Sequence, residues 1–203
     1  MRPFAAAHGR RYLECPVCGL VYLDPAHRPA PEAELAHYGT HRNDPADPGY
    51  RAFLDRLAAP LVERLPPGAE GLDYGSGPGP ALAAMLRERG FAVEVWDPFF
   101  APDPAPLGRA YDFVTCTETA EHFFSPAHEL RRLDALLRPG GWLGVMTELY
   151  TGERAFGEWR YARDPTHVCF YRPETLRWIA ERRGWALELP ARDVAFFRKP
   201  PTA

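Results

Sequence analysis

Apolar residues recur along this chain with two different periods, and the change of period falls near Gly71. Before it, Arg-Arg-Tyr-Leu-Glu at 10–14 and Gly-Leu-Val-Tyr-Leu-Asp at 19–24 flank Cys15-Pro16-Val17-Cys18, which predicts a short hairpin turning on the cysteines. Helical spacing follows from Pro31 to Tyr38 and again from Tyr50 to Leu65, where Phe53, Leu54, Leu57, Leu61 and Leu65 recur near one face. After Gly71, short apolar runs alternate with helical segments. Leu72–Tyr74 ends a strand, Pro80–Arg89 is a helix stopped by Gly90, and Ala92–Trp96 and Asp112–Thr117 are strands. Pro126–Leu137 is a helix, and Trp142–Thr147 is a strand after the turn Arg138-Pro139-Gly140-Gly141. Pro173–Arg183 is the last helix, closed by Gly184, with Ala186–Leu189 and Val194–Phe197 as terminal strands. Strands alternating with crossover helices predict an α/β, Rossmann-like doubly wound sheet over residues 49–203. Residues 1–48 read as a small amino-terminal lobe.

Composition narrows the choice of partners. The 203 residues suffice for one main domain with a small appendage, and no apolar run approaches the ~20 residues that span a bilayer. Arg10-Arg11 follows Met1–Ala7 too soon for the apolar core of a signal peptide, so a cytoplasmic location is expected. The net charge is -3, from 24 basic and 27 acidic groups, and the arginines form no dense block. A phosphate-neutralising surface is therefore not expected, which disfavours nucleic acid as a partner. The oligomeric state cannot be read from the sequence.

The change of period also marks the candidate chemistry. In Asp73-Tyr74-Gly75-Ser76-Gly77-Pro78-Gly79, three glycines between strand and helix allow close approach of backbone to a ligand. Eighteen residues past Gly79, Asp97 ends the next strand, where a carboxylate accepts hydrogen bonds from ribose hydroxyls. The pair reads as a nucleoside-binding site, a description that a nicotinamide-binding fold also meets.

The glycine loop, Asp97, the run Tyr111-Asp112-Phe113-Val114 through Glu121-His122, and Leu137-Arg138-Pro139-Gly140-Gly141-Trp142-Leu143 resemble, in this order, the motifs of class I S-adenosylmethionine-dependent methyltransferases. The resemblance covers about residues 70–150. It implies that S-adenosylmethionine is held by Asp73, Gly75, Gly77, Gly79 and Asp97, and Glu118 completes the expected cofactor set. Phe99–Arg109, where such enzymes place a third strand and an adenine-contacting acid, is here short and proline-rich. The chain also resembles a bacterial branch of that superfamily in which a cysteine pair precedes the domain and a motif like Asp164-Pro165-Thr166-His167-Val168 follows it. That likeness brings no acceptor with it; the low charge favours a small molecule, with an RNA methyltransferase and a non-catalytic binding module as the alternatives.

Two further groups of residues carry chemistry. Cys15 and Cys18 have the spacing of a tetrahedral-ion knuckle, and His27, His37 and His41 follow. The expected ligands of a structural zinc are Cys15, Cys18 and His41, with His37 or His27 as the fourth; the alternative is a pair of free thiols. Cys116 and Cys169 read as ordinary buried thiols. Methyl transfer is an in-line displacement that needs alignment of the nucleophile and removal of its proton. His122, beyond a strand end, and His167, in an aromatic loop beside Asp164, are the catalytic candidates. The structural alternatives are that His122 packs or caps without proton transfer and that His167 ties its loop to the core.

Overall fold

The computed structural model describes residues 1–40 and 43–202. Its centre is a six-stranded mixed sheet. Strands β4 (Glu70–Tyr74), β5 (Ala92–Trp96), β6 (Tyr111–Thr117) and β7 (Leu137–Met146) run parallel, and β10 (Val194–Arg198) lies antiparallel to β7, with β9 (Ala186–Ala191) antiparallel to β10. The order is β5-β4-β6-β7-β10-β9. The chain leaves β4 in one direction to reach β5 and returns to β6 on the other side, so the switch point, where ligands bind in open α/β sheets, falls at the carboxyl ends of β4 and β6. Residues 98–109 supply no strand and β5 is the sheet edge; Asp103 only caps a local turn at Ala105 N (3.0 Å).

Alternation along the strands divides the core. Val194 and Phe196 face a cluster built on α2 (Pro48–Val62) and α3 (Ala81–Glu88), while Ala195 and Phe197 face the side holding α4 (Pro126–Ala135) and α5 (Pro173–Arg183). Asp47 caps α2 through Tyr50 N (2.6 Å), and Gly184 closes α5 in the left-handed conformation (φ 65°). The expected turn at Arg138–Gly141 lies inside β7 as an irregularity: pairing with β6 steps from Tyr111–Leu137 to Phe113–Trp142, and Gly140 takes φ 79°.

The amino-terminal segment is bound to the domain by protein groups. β1 (Arg2–Ala7) turns back through His8-Gly9, both at positive φ as a two-residue hairpin requires, into β2 (Arg10–Glu14) and β3 (Val21–Leu23). A fourth strand, β8 (Cys169–Phe170), pairs with β3, so residues far along the chain complete this small sheet. Tyr12, Val21 and Leu23 belong to the same apolar cluster as Leu72 and Tyr74 of the large sheet. Arg10 donates to the carbonyls of Ala162 (2.8 Å) and Asp164 (2.9 Å), and Arg172 pairs with Glu14 (2.7 Å). These protein contacts fasten residues 1–24, and their core is continuous with that of the domain.

Candidate active site

The glycine loop leaves β4 at the switch point. Gly75 (φ 79°) and Gly77 (φ 66°) adopt backbone that favours glycine, and Gly79 packs against the Asn43 backbone where a Cβ has no room. Asp97 organises the loop: its Oδ2 accepts from Gly77 N (2.9 Å), and its Oδ1 accepts from Phe99 N (2.8 Å) and Phe100 N (3.0 Å). The carboxylate thus caps its own turn while bordering the cavity described below.

Asp73 is buried beneath the loop and accepts from Thr115 Oγ1 (2.7 Å). Burial, reinforced by the Asp97 charge and opposed by the Thr115 bond, pushes its carboxyl up to about 6. The folded protein therefore holds this proton more tightly than the unfolded chain. The resulting stabilisation is fully present below the ordinary aspartate range near 3.8 and is lost as pH rises through about 6. Asp73→Asn keeps the Thr115 bond and removes the charge, so it is expected to stabilise the ligand-free protein at pH 7 by about 1–3 kcal/mol. Thermal unfolding measured from pH 4 to 8 checks this: an unchanged or lower Tm in the variant at pH 7 would contradict it.

A cavity of about 1040 Å³ opens from this loop. Asp97, Trp96 and Phe99 line it beside the glycines, and Glu118, Glu121, His122, Asp164 and His167 line it toward the carboxyl end of β6. Glu118 stands at φ 49°, an uncommon conformation for a side-chain-bearing residue, with its N–H on the Met146 carbonyl (2.8 Å). Burial pushes its carboxyl up to about 9, with the charges of Glu121, Asp193 and Glu148 adding and Arg56 opposing. His122 and His167 lie on different segments, yet their rings are 4.9 Å apart at 72°. Val168 N donates to the Glu121 carbonyl (2.8 Å) and so fixes the 164–168 loop to the turn Ala120–His122. Nδ1 of His122 donates to the Thr166 carbonyl (3.0 Å), and Nδ1 of His167 donates to the Tyr161 carbonyl (2.8 Å). Each imidazole is thereby turned with Nε2 as its remaining lone-pair position. Burial lowers the His167 pKa, which favours the neutral ring.

The described members of the expected metal set lie on separate elements. Cys15 and Cys18 form the turn between β2 and β3, with Gly19 N on the Cys15 carbonyl (3.0 Å) and both thiols free. His41 lies outside the described residues. His27 ends a short turn at Pro25–His27. His37 sits on α1 (Pro31–Tyr38) and directs Nε2 to Asp164 Oδ2 (3.1 Å), so it faces the cavity. Among the described residues no group of three or more ligand side chains includes either cysteine. α1 thus carries His37 to the cavity, where it pairs with the 164–168 loop. Against the cost of burial, the neighbouring His167 ring, the Thr166 hydrogen bonds and His37 hold the Asp164 carboxyl well below the usual range.

Sequence reasoning missed Glu34, His37, Tyr38 and Asn43 as cavity-lining groups, along with Tyr50 and Tyr161. The helical period of 31–38 was the available signal for the first three; nothing local shows where that helix lands.

Comparison with known proteins places this geometry. A sequence-family profile for the methyltransferase domain matches residues 46–189. No curated protein sequence matches significantly. Among solved structures, 1,6-didemethyltoxoflavin-N1-methyltransferase of Burkholderia thailandensis, holding 1,6-didemethyltoxoflavin and S-adenosylhomocysteine, aligns with a TM-score of 0.58 at 16% identity, covering 98% of this chain and 100% of that one. Magnesium protoporphyrin IX methyltransferase of Synechocystis PCC 6803, with bound S-adenosylhomocysteine, aligns at 0.56 and 18% identity, covering 74% and 83% respectively. At such identities the structural likeness is one of fold. The profile spans well over half of the sequence, and the chain therefore belongs to the methyltransferase-domain family as an S-adenosylmethionine-dependent methyltransferase.

Proposed function

We propose that the enzyme methylates a small-molecule acceptor held in the cavity between the glycine loop and the His122–His167 pair. The observation that carries this reading is the cavity itself. One space of about 1040 Å³ joins the cofactor loop to two imidazoles whose Nε2 positions are held by backbone hydrogen bonds. Typical pockets for small ligands occupy about 300–1,000 Å³, so the space suits a cofactor beside a compact acceptor. In this reading Asp73, Gly75, Gly77 and Gly79 shape the seat of the cofactor's methionine part, Asp97 takes the ribose hydroxyls, and Glu118 borders the sulfonium. The acceptor's nucleophilic atom faces His122 and His167, the groups placed to receive its proton. Tyr38 and His37 of α1 close the mouth. The toxoflavin and protoporphyrin enzymes, both of which act on small heterocyclic molecules, support the acceptor class by analogy. A zinc knuckle is not part of the proposal, since Cys15 and Cys18 gather no third described ligand.

Calorimetric titration with S-adenosylhomocysteine tests the cofactor assignment. Micromolar binding is expected, weakened about 10- to 100-fold by Asp97→Ala, which removes a charged acceptor for hydroxyl groups. Unchanged affinity in a folded Asp97→Ala protein would remove Asp97 from the site.

A further inference from the structure

One carboxylate oxygen at the acceptor end of the cavity is left over by the hydrogen-bond network. Glu121 is fully buried; its Oε2 accepts from Thr147 Oγ1 (2.9 Å), whereas Oε1 has no hydrogen-bond partner among the described residues. An isolated buried carboxylate oxygen is costly, and such a group calls for a compensating ligand. The groups around the carboxylate are the two imidazoles already described and the Tyr161 hydroxyl, which lies 2.9 Å from the same Thr147 Oγ1 that bonds Oε2. One donor atom from each of Glu121, His122 and His167 lies within 4.8 Å of the others, and His167 Nε2 is 4.0 Å from Glu121 Oε1.

We infer that Glu121, His122 and His167 form a binding site for a first-row divalent transition ion, zinc, manganese(II) or cobalt(II), set at the acceptor end of the active-site cavity. Two neutral imidazoles and one carboxylate are a ligand set that suits such ions better than magnesium or calcium, which prefer all-oxygen shells. The supporting contacts are those that orient ligands in metal sites: each histidine donates its other ring N–H to a backbone carbonyl, and the glutamate's second oxygen is held by a threonine hydroxyl. Ligand bonds of ~2.1 Å place neighbouring donor atoms about 3–3.5 Å apart, so the 4.0 Å pair must close by about 0.5–1 Å and no pair, all within 4.8 Å, by more than ~2 Å. Even with Glu118 held protonated by burial, eight other acidic residues against five arginines line the cavity among the described residues, a surplus that favours a cation. Three protein ligands leave coordination positions open toward the cavity. A cation there supplies Lewis acidity to an acceptor hydroxyl or enol oxygen. The acceptor oxygen then binds as its anion, its proton leaving to solvent on coordination, and His122 and His167 hold the ion instead of accepting that proton. The consequence for acceptor class, an oxygen nucleophile, rests on the methyltransferase reading above; the ion site itself does not.

The test uses the full chain, stripped with a chelator and titrated with cobalt(II) and zinc by spectrophotometry and calorimetry. Glu121→Gln, His167→Gln and a Cys15→Ser/Cys18→Ser double variant are run in parallel. Circular dichroism and S-adenosylhomocysteine titration on every sample report whether each variant is folded. The expected result is one equivalent bound, at least tenfold weaker in Glu121→Gln and in His167→Gln, unchanged in the double cysteine variant, and without a thiolate-to-cobalt charge-transfer band. Absence of stoichiometric binding to the unaltered protein overturns the inference, as does binding that survives both cavity variants or is lost with the cysteines. S-adenosylhomocysteine binding distinguishes the two failures. Its persistence without an ion leaves the cofactor reading intact, and its loss from folded, unaltered protein overturns that reading separately.

Discussion

Truncating Phe113 to alanine is expected to lower the stability of the ligand-free protein by about 3–5 kcal/mol. In a chain of this size that corresponds to a drop in Tm of roughly 6–20 °C. The ring is fully buried on β6, directly opposite Gly71 on β4, and meets Phe91 edge-on at 5.9 Å. It lies over the Gly71 backbone where a Cβ would otherwise stand. Gly71 is therefore small because Phe113 is large, which predicts a coupled pair. Gly71→Ala alone forces overpacking that costs about 1–3 kcal/mol, and the same change costs little once Phe113 is alanine, because the ring has gone. Thermal and denaturant unfolding of the four proteins of this cycle checks the claim. Strictly additive losses would mean that the ring and the glycine do not compete for this volume. The pair matters beyond stability, because two residues further along the same strands Asp73 pairs with Thr115 beneath the glycine loop.

That loop and its sheet were legible in the sequence because each rests on local rules. The glycines, Asp97 and the alternation of strand and helix after Gly71 depend on neighbours within a few residues or on a repeated period, and the structure places them as read. Three features were not legible. β8 is two residues long and exists because β3 offers it an edge. The irregularity in β7 follows a run that reads as a turn in isolation, and pairing with β6 on one side and β10 on the other carries the strand through it. The third feature is the grouping of metal-ligating residues. Cys-x2-Cys followed by His-x3-His suggests a knuckle by spacing alone, but α1 takes His37 to Asp164 instead. The grouping that does form, Glu121 and His122 with His167, joins residues more than forty positions apart through one backbone bond, Val168 N to the Glu121 carbonyl (2.8 Å). No spacing rule reaches that far.

The glycine loop supplies the largest expected effect on binding. Gly75→Ala meets two separate obstacles. At φ 79° a side-chain-bearing residue costs about 1–2 kcal/mol, and the new Cβ would fall within the Thr119 side chain. Thr119 has little freedom to withdraw, because its Oγ1 lies 3.1 Å from the Gly75 carbonyl and 3.0 Å from that of Thr117, linking the loop to the end of β6. Together these predict a stability loss of about 2–4 kcal/mol, and a displaced loop that binds S-adenosylhomocysteine roughly 100-fold more weakly. Gly77→Ala provides the internal comparison. Its φ is 66°, so the backbone cost is similar, but among the described residues the only neighbour within 4 Å of its Cβ position is the Asn43 side-chain amide at 3.2 Å. Its loss of stability is expected to stay near 1–2 kcal/mol. Adding Thr119→Gly to Gly75→Ala is expected to recover the steric part of the loss and leave the backbone part. Equal melting temperatures for the two single variants, or no recovery in the double variant, would show that backbone conformation alone governs the loop and that the Thr119 contact plays no part in shaping the cofactor site.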